Sequence, residues 1–195
     1  MAYLSWCEHI MEINIYLIAC LYFYLPVAMA NIGANLGKFI PVFKSMKTPV
    51  DFGLQIKGNR VIGDHKNIGG FLFGVVFGTL FGLIKIFYFD NIIQDDYLLF
   101  KISNTQSVIL YFLMSFAALF GDIAKSFFKR ILNRPPHSPW IPFDEIDHSI
   151  FSVLVAGFIV SITLIDAIVI ISMFMILHLA TNVIGYLLKL KNVPY

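Results

Sequence analysis

From Ile150 to Leu188 the chain carries a single charged side chain, Asp166. A run this long and this apolar has no place in water. It is also too long for one membrane helix, which needs roughly 20 apolar residues. Asp166, with Ser161 and Thr163 just before it, interrupts the run, so the spacing predicts two spans joined by a tight hairpin around Thr163–Asp166. Three further apolar stretches, Ile13–Ile32, Ile68–Phe89 and Ser107–Phe120, bring the expected number of spans to about five. Charged residues make up 13% of the chain, about half of the soluble norm of roughly 25%. The expected fold is a single-domain (residues 1–195), all-α membrane protein of about five transmembrane helices, with two cytoplasmic loops forming a polar site. In the second span Gly70, Gly74, Gly78 and Gly82 recur every four residues, which puts a groove on one helix face where a neighbour can approach closely.

Charge placement sets the expected orientation. Of 14 Lys and Arg residues, 12 fall in three segments: Lys38–Lys66, Asp122–Asp147 and the C-terminal tail with Lys189 and Lys191. Five spans place these segments on one side, leaving only Lys85 and Lys101 on the other. By the positive-inside rule the basic side is cytoplasmic, so a multi-pass cell-membrane protein is expected with its N-terminus outside and its C-terminus and motif loops in the cytoplasm. The first Lys or Arg is Lys38, so the N-terminus lacks the basic region of a signal peptide. Cys7 and Cys20 match no metal spacing; Cys20 lies inside an apolar run, and both read as packing residues.

Within this lipid-like chain, polar residues gather in two places. In GDIAKSFFKR, a third helix continuing past the apolar run would put Asp122, Lys125, Ser126, Lys129 and Arg130 on one face. Such a stripe can be a snorkelling basic edge, or a carboxylate and cations that bind metal and phosphate. Asp144, Glu145 and Asp147 favour the second reading. Three acids among four residues, expected in a loop stiffened by Pro135, Pro136, Pro139 and Pro142, repel one another unless a cation is present. Asp122 with Asp144 or Asp147 would supply the oxygen ligands of a hard divalent ion, and two such ions could clamp a phosphoryl or nucleotidyl transfer. The first loop adds Asp51–Gly53, then Arg60, then Gly63, Asp64, His65 and Lys66; Arg60 and Lys66 are natural phosphate partners, and His65 is more readily a hydrogen-bond donor than a base. Asn31, Asn35, His178, Thr181 and Asn182 are polar groups in apolar surroundings, expected to face the bundle interior as structural hydrogen bonds or site walls.

The order PVAMAN (Pro26–Asn31), DFG, GNRVIGDHKN, GDIAKSFFKR, DEIDH and HLATNVIGYLLKLKNVPY (His178–Tyr195) resembles the CDP-archaeol synthase family, integral membrane cytidylyltransferases related to phosphatidate cytidylyltransferases. The resemblance runs from about Pro26 to Tyr195. It implies a Mg²⁺-dependent reaction of CTP with a membrane glycerol-phosphate lipid, 2,3-di-O-geranylgeranylglyceryl phosphate, to give a CDP-lipid and pyrophosphate. It assigns catalytic roles to Asp122, Lys125, Lys129, Asp144 and Asp147, with metal on Asp122, Asp144 and Asp147. Nucleotide and phosphate contacts fall to Arg60, Gly63, Asp64, His65, Lys66, Ser126 and Arg130. The chain departs from the family pattern at Asn67, where Thr is usual, and at Glu145, where Gln is usual.

The nearest alternative keeps the reaction and takes diacyl phosphatidic acid as substrate. A CDP-alcohol phosphotransferase would carry a DG-x-x-AR pattern, which is missing. From another class, a small transporter or non-catalytic membrane subunit would place polar residues near mid-span. They are few here, and charge sits at the cytoplasmic edge instead. The expected partners are CTP, a lipid phosphate and the bilayer, with no nucleic acid.

Overall fold

The structure is a computed structural model that describes residues 2–56, 59–62, 66–90, 92–93, 98–134 and 138–189, with side chains described outside 2–9, 56 and 59. Gly63, Asp64 and His65 therefore lie outside the described residues, as do Lys57, Asp95, Pro135, Pro136 and Lys191. Among the described residues, six α-helices follow in order: α1 (Ala2–Leu36), the short α2 (Pro41–Ser45), α3 (Ile68–Ile84), α4 (Asn104–Ile131), α5 (Phe143–Ala156) and α6 (Leu164–Leu187). A two-residue hairpin, β1 (Gln55–Ile56) with β2 (Asn59–Arg60), decorates the loop before α3.

Among the described residues, four helical segments are long and apolar enough to cross a membrane: Ile10–Phe39, Ile68–Phe89, Asn104–Ile131 and Leu164–Leu187. The expected fifth span corresponds to α5, whose 14 residues rise only about 21 Å, short of the ~30 Å hydrocarbon layer. The expected break in the long apolar run is present, but the turn lies at 157–163, ahead of the expected Thr163–Asp166, which instead starts α6. Thr163 caps α6, its hydroxyl accepting from the Asp166 amide (3.1 Å) while Asp166 Oδ2 accepts from the Thr163 amide (2.9 Å). This capping box satisfies the first amides of a helix that begins in an apolar setting. Asp166 also accepts from Tyr16 (2.6 Å), tying the start of α6 to α1.

The glycine groove of α3 is what brings three helices together. A Cβ on Gly74 would stand 2.7 Å from the Ala30 carbonyl of α1 and 2.6 Å from Leu119 of α4; one on Gly78 would meet Ala30 at 2.6 Å and Ser115 at 2.5 Å. These separations are too short for any side chain, so α3 can fill its place only with glycine at these turns. The contacts Ala30–Gly74 and Pro26–Gly78 show α1 and α3 running antiparallel, as do α3 and α4 through Gly74–Leu119 and Gly78–Ser115.

A second close approach aligns α4 with α5. A Cβ on Gly121 would sit 2.8 Å from both the Asp147 carbonyl and the Phe151 ring. Lys129 meets Asp144, Lys125 meets Asp147 and Gly121 meets Phe151, so these helices are antiparallel as well. The core of the bundle holds Cys20 and Tyr24 of α1, Leu110 and Met114 of α4 and Ile170 of α6, all fully buried, while Leu80, Ile168 and Ile176 face outward as lipid-facing residues do.

The result gathers the C-terminal ends of α1, α4 and α6 with the N-terminal ends of α3 and α5 at one end of the bundle. Lys85 and Asp90 mark the other end. There the Lys85 ammonium lies 4.0 Å from the centre of the Tyr22 ring, donates to the Tyr111 hydroxyl (2.7 Å) and pairs with Asp90 (3.3 Å).

Candidate active site

The stripe expected on α4 forms, because the helix does continue to Ile131. Its residues meet partners from two other elements. Lys66, arriving from the loop before α3, donates to Asp122 Oδ2 (2.7 Å), to the Asp122 backbone carbonyl (2.5 Å) and to Ser126 Oγ (2.6 Å). The loop is held for this by Asn67, the N-cap of α3, whose side-chain oxygen accepts from the Gly70 amide (2.7 Å). Asn and Thr both perform this task, which gives the Asn67 departure a physical reason. Burial pushes the pKa of Lys66 below the usual ammonium range, against the opposing pull of Asp122.

Asp144, Glu145 and Asp147 are not in a loop, as the prolines suggested, but in the first turns of α5, which begins at Phe143 after Pro142. Acids here favour the positive end of the helix dipole, and the helix spacing separates their roles. Asp144 and Asp147, three apart, face α4. Lys125 Nζ stands 2.9 Å from Asp147, 3.1 Å from Asp122 and 3.5 Å from Asp144. Lys129 binds Asp144 at 2.6 Å and the Ser138 carbonyl at 2.9 Å, and the Trp140 amide also donates to Asp144 (2.7 Å). Glu145 points away, buried to 2% exposure against His178 of α6, with Nδ1 and Oε2 2.5 Å apart. His148 Nδ1 lies 3.2 Å from Asp147.

Two named residues stand apart from this cluster. Arg130 turns to the Arg134 carbonyl (2.6 Å), closing the C-terminus of α4. Arg60 pairs with Asp51 (2.7 Å), whose carboxylate also accepts from the Gly53 and Ile62 amides (both 3.1 Å). Burial alone would raise the Asp51 pKa; Arg60 and the two amides hold it below the ordinary value. Asp51 thus ties the first loop together, a structural role the DFG pattern did not disclose.

Among the described residues, no three His, Cys, Asp or Glu side chains are grouped as around a metal ion. Asp122, Asp144 and Asp147 are arranged around the Lys125 ammonium instead. Their donor set is carboxylate oxygen gathered about one cation, which in its chemistry fits a hard divalent ion such as Mg²⁺.

Two cavities open from the cluster. One, about 550 Å³, lies between the first loop, α1 and α3, and is walled by Asn31, Asn35, Lys38, Lys66, Asn67 and Asp122. The other, about 680 Å³, runs between α1 and α6. Its head holds Asp122, Lys125, Asp144, Asp147, His148 and His178, and its flanks are Leu21, Leu25, Ile32, Phe174 and Leu177. Asn31, Asn35 and Asp122 line both.

Lysines and aspartates interleaved at one end of an apolar helix bundle, with a polar cavity on one side and an apolar-flanked one on the other, define a membrane-embedded enzyme that works on phosphate. The comparisons agree. The sequence model of the CarS-like CDP-archaeol synthase family matches residues 12–195. The CDP-archaeol synthase of Pyrococcus furiosus is 34% identical over 89% of this chain and 95% of its own. That of Methanocorpusculum labreanum is 33% identical over 76% and 90%. A solved structure described as an intramembrane enzyme for archaeal membrane lipid biosynthesis superposes with a TM-score of 0.65 at 26% identity, covering 83% of this chain and 91% of that one. The chain belongs to the CDP-archaeol synthase family, and it is an enzyme of the cytidylyltransferase class.

Proposed function

We propose that this protein transfers the cytidylyl group of CTP to the phosphate of 2,3-di-O-geranylgeranylglyceryl phosphate or a close archaeol-type relative. The observation that carries this reading is the pair of cavities meeting at Asp122. The polar one, beside Lys38 and Lys66, suits CTP. The one flanked by Leu21, Leu25, Phe174 and Leu177 suits a lipid that enters between α1 and α6 with its phosphate at the charged head.

In the reaction a lipid phosphate oxygen attacks the α-phosphorus of CTP. One P–O bond forms to the lipid, and the bond to the β-phosphate breaks, releasing pyrophosphate. A phosphate monoester is already anionic, so no protein base is needed. Lys66, Lys125 and Lys129 are fixed by carboxylates and carbonyls before substrate arrives, and preorganised cations of this kind stabilise charge as it develops. Mg²⁺, which Asp122, Asp144 and Asp147 would hold, would neutralise phosphate oxygens. Ser126, donating to the Asp122 carbonyl (3.0 Å) and accepting from Lys66, positions that lysine.

The charged end of the bundle faces the cytoplasm, where CTP is, and the N-terminus lies outside, in keeping with the basic excess. A cysteine introduced at the exposed Ile92 should react with an impermeant reagent on intact cells; reaction only after permeabilisation would reverse the orientation. The activity is tested by supplying purified protein with CTP, Mg²⁺ and a panel of lipid phosphates. Conversion of the isoprenoid-ether phosphate in preference to the diacyl one is expected. Conversion of diacyl phosphatidic acid alone would move the protein to CDP-diacylglycerol synthesis.

A further inference from the structure

Of the 14 lysines and arginines, Lys85 and Lys101 are the two that fall outside the basic segments. Both line one cavity of about 460 Å³ at the end of the bundle away from the active site, together with Tyr22, Asp90, Ser107 and Tyr111. The charge rule gives no reason for either lysine on that side, yet they share one cavity.

The polar lining is held in place by the fold. Lys85 is only 4% exposed and opens the π-helical turn Lys85–Phe89 that ends the second span; such turns recur at functional sites. Its ammonium lies 4.0 Å from the centre of the Tyr22 ring and 5.0 Å from that of Tyr111, and it donates to the Tyr111 hydroxyl at 2.7 Å. Gly82, the last glycine of the α3 groove, seats that tyrosine: a Cβ there would stand 2.7 Å from Tyr111 Cβ. Because the Tyr111 oxygen accepts from Lys85, its own proton is left to donate. Asp90 meets Lys85 at 3.3 Å but also takes a 2.6 Å hydrogen bond from Tyr22. Lys85 can therefore turn toward an anion without leaving Asp90 unpaired.

Two ammoniums against one carboxylate leave the lining with an excess of positive charge. The first turn of α4 adds to it, since Asn104 and Ser107 lie at the positive end of a 28-residue helix. A cleft of one sign with low-dielectric walls focuses its field on a counter-ion. Phe23, Ile86 and Leu99 complete the wall. Tyr88 and Phe89, exposed on the same turn as Lys85, suit the layer where a bilayer passes from headgroup to chain.

We propose that this cavity binds the phosphate of a membrane lipid in the leaflet opposite the active site, with Lys85, Lys101 and the Tyr111 hydroxyl on the phosphate and the apolar wall against the start of the chains. The site is separate from the one at Asp122 and does not depend on the substrate assigned there.

The test titrates phosphatidylglycerol into the purified protein in an uncharged detergent and counts bound lipid by native mass spectrometry. Wild type is compared with K101Q, with K85Q/D90N, which removes both members of the buried pair together, and with K129A, which weakens the active-site cluster instead. Lys101 is exposed, so K101Q should fold as wild type does and is the deciding variant. Loss of one charge-assisted contact predicts about a tenfold rise in Kd for phosphatidylglycerol in K101Q. K85Q/D90N should lose at least as much, while K129A keeps the tight binding that K101Q loses. Diacylglycerol, which lacks the phosphate, should bind all four proteins alike, and inorganic phosphate at millimolar concentration should not displace the phospholipid. Displacement by inorganic phosphate would give the site to a free anion and overturn the lipid assignment. Equal phosphatidylglycerol affinity in wild type and K101Q, or loss of the same binding in K129A, would overturn the proposal and leave Lys85 as a pin between α1, α3 and α4.

Discussion

Lys125 holds three carboxylates together, and removing its charge should separate its structural role from that of a divalent ion. Lys125→Met keeps length and apolar bulk while deleting the ammonium. Of the three partners, Asp147 is the most enclosed, at 7% side-chain exposure, and Lys125 itself is 15% exposed. Breaking one such buried pair costs about 3–5 kcal/mol, because the remaining charge is left without a partner. Asp122 and Asp144, at 35% and 22% exposure, are partly screened, so each adds no more than about 1 kcal/mol. A loss of about 3–5 kcal/mol in a chain of this size lowers Tm on the order of 10 °C. Thermal unfolding in detergent, followed by tryptophan fluorescence with chelator present, measures it. Added Mg²⁺ should then restore stability to K125M by more than it adds to the wild type, since the cation now meets carboxylates with no competing ammonium; at a hundredfold excess over Kd that gain is about 2.7 kcal/mol. A K125M protein as stable as wild type in chelator, or one that gains no more from Mg²⁺ than the wild type does, would refute the reasoning.

The lysines should also sort by what they touch. Lys129→Ala should lower kcat/KM by about 2–4 kcal/mol in transition-state terms, as loss of a preorganised charge donor does, whereas Arg130→Ala and Lys44→Ala should cost under about 1 kcal/mol; steady-state kinetics with CTP and lipid phosphate compares all three. Asp51→Asn should raise the CTP KM with little change in kcat, because the first loop then holds Lys66 less firmly, and limited proteolysis should cut that loop sooner. The folded Asp51 carboxyl is held below its ordinary value near 4, so its anchoring persists at every pH above that range. It gives way only as the pH falls through the lowered value, and proteolysis rates across a pH series should show no transition between pH 5 and 8.

The helix period made the α4 stripe legible, because Asp122, Lys125, Ser126 and Lys129 share a face whatever packs against it. The four-residue glycine repeat of α3 likewise announced a close helix contact, and Thr163 with Asp166 announced a cap. Other features depend on tertiary contact and left no local trace. The prolines before Phe143 suggested an extended loop, yet proline also suits the start of a helix, so the acids fall on helical turns with separate faces. That separation is why Glu145 meets α6 while Asp144 and Asp147 meet α4. The link between Asp51 and Arg60 crosses a turn whose geometry composition does not encode. Arg130 fits the stripe by spacing, but just past the end of α4 the backbone carbonyl of Arg134 accepts from it instead.

The central claim is nucleotidyl transfer at Asp122, where the two cavities meet. The most direct measurement follows the two ends of CTP: protein, Mg²⁺ and isoprenoid-ether lipid phosphate are incubated with CTP labelled on the α- or on the γ-phosphate. The account predicts that the α-label appears in the lipid fraction and the γ-label in pyrophosphate, in equal amounts, and that both vanish in Asp122→Asn while that variant stays folded in the membrane. Label from the γ-phosphate in the lipid, or near-normal transfer by Asp122→Asn at limiting Mg²⁺, would contradict it.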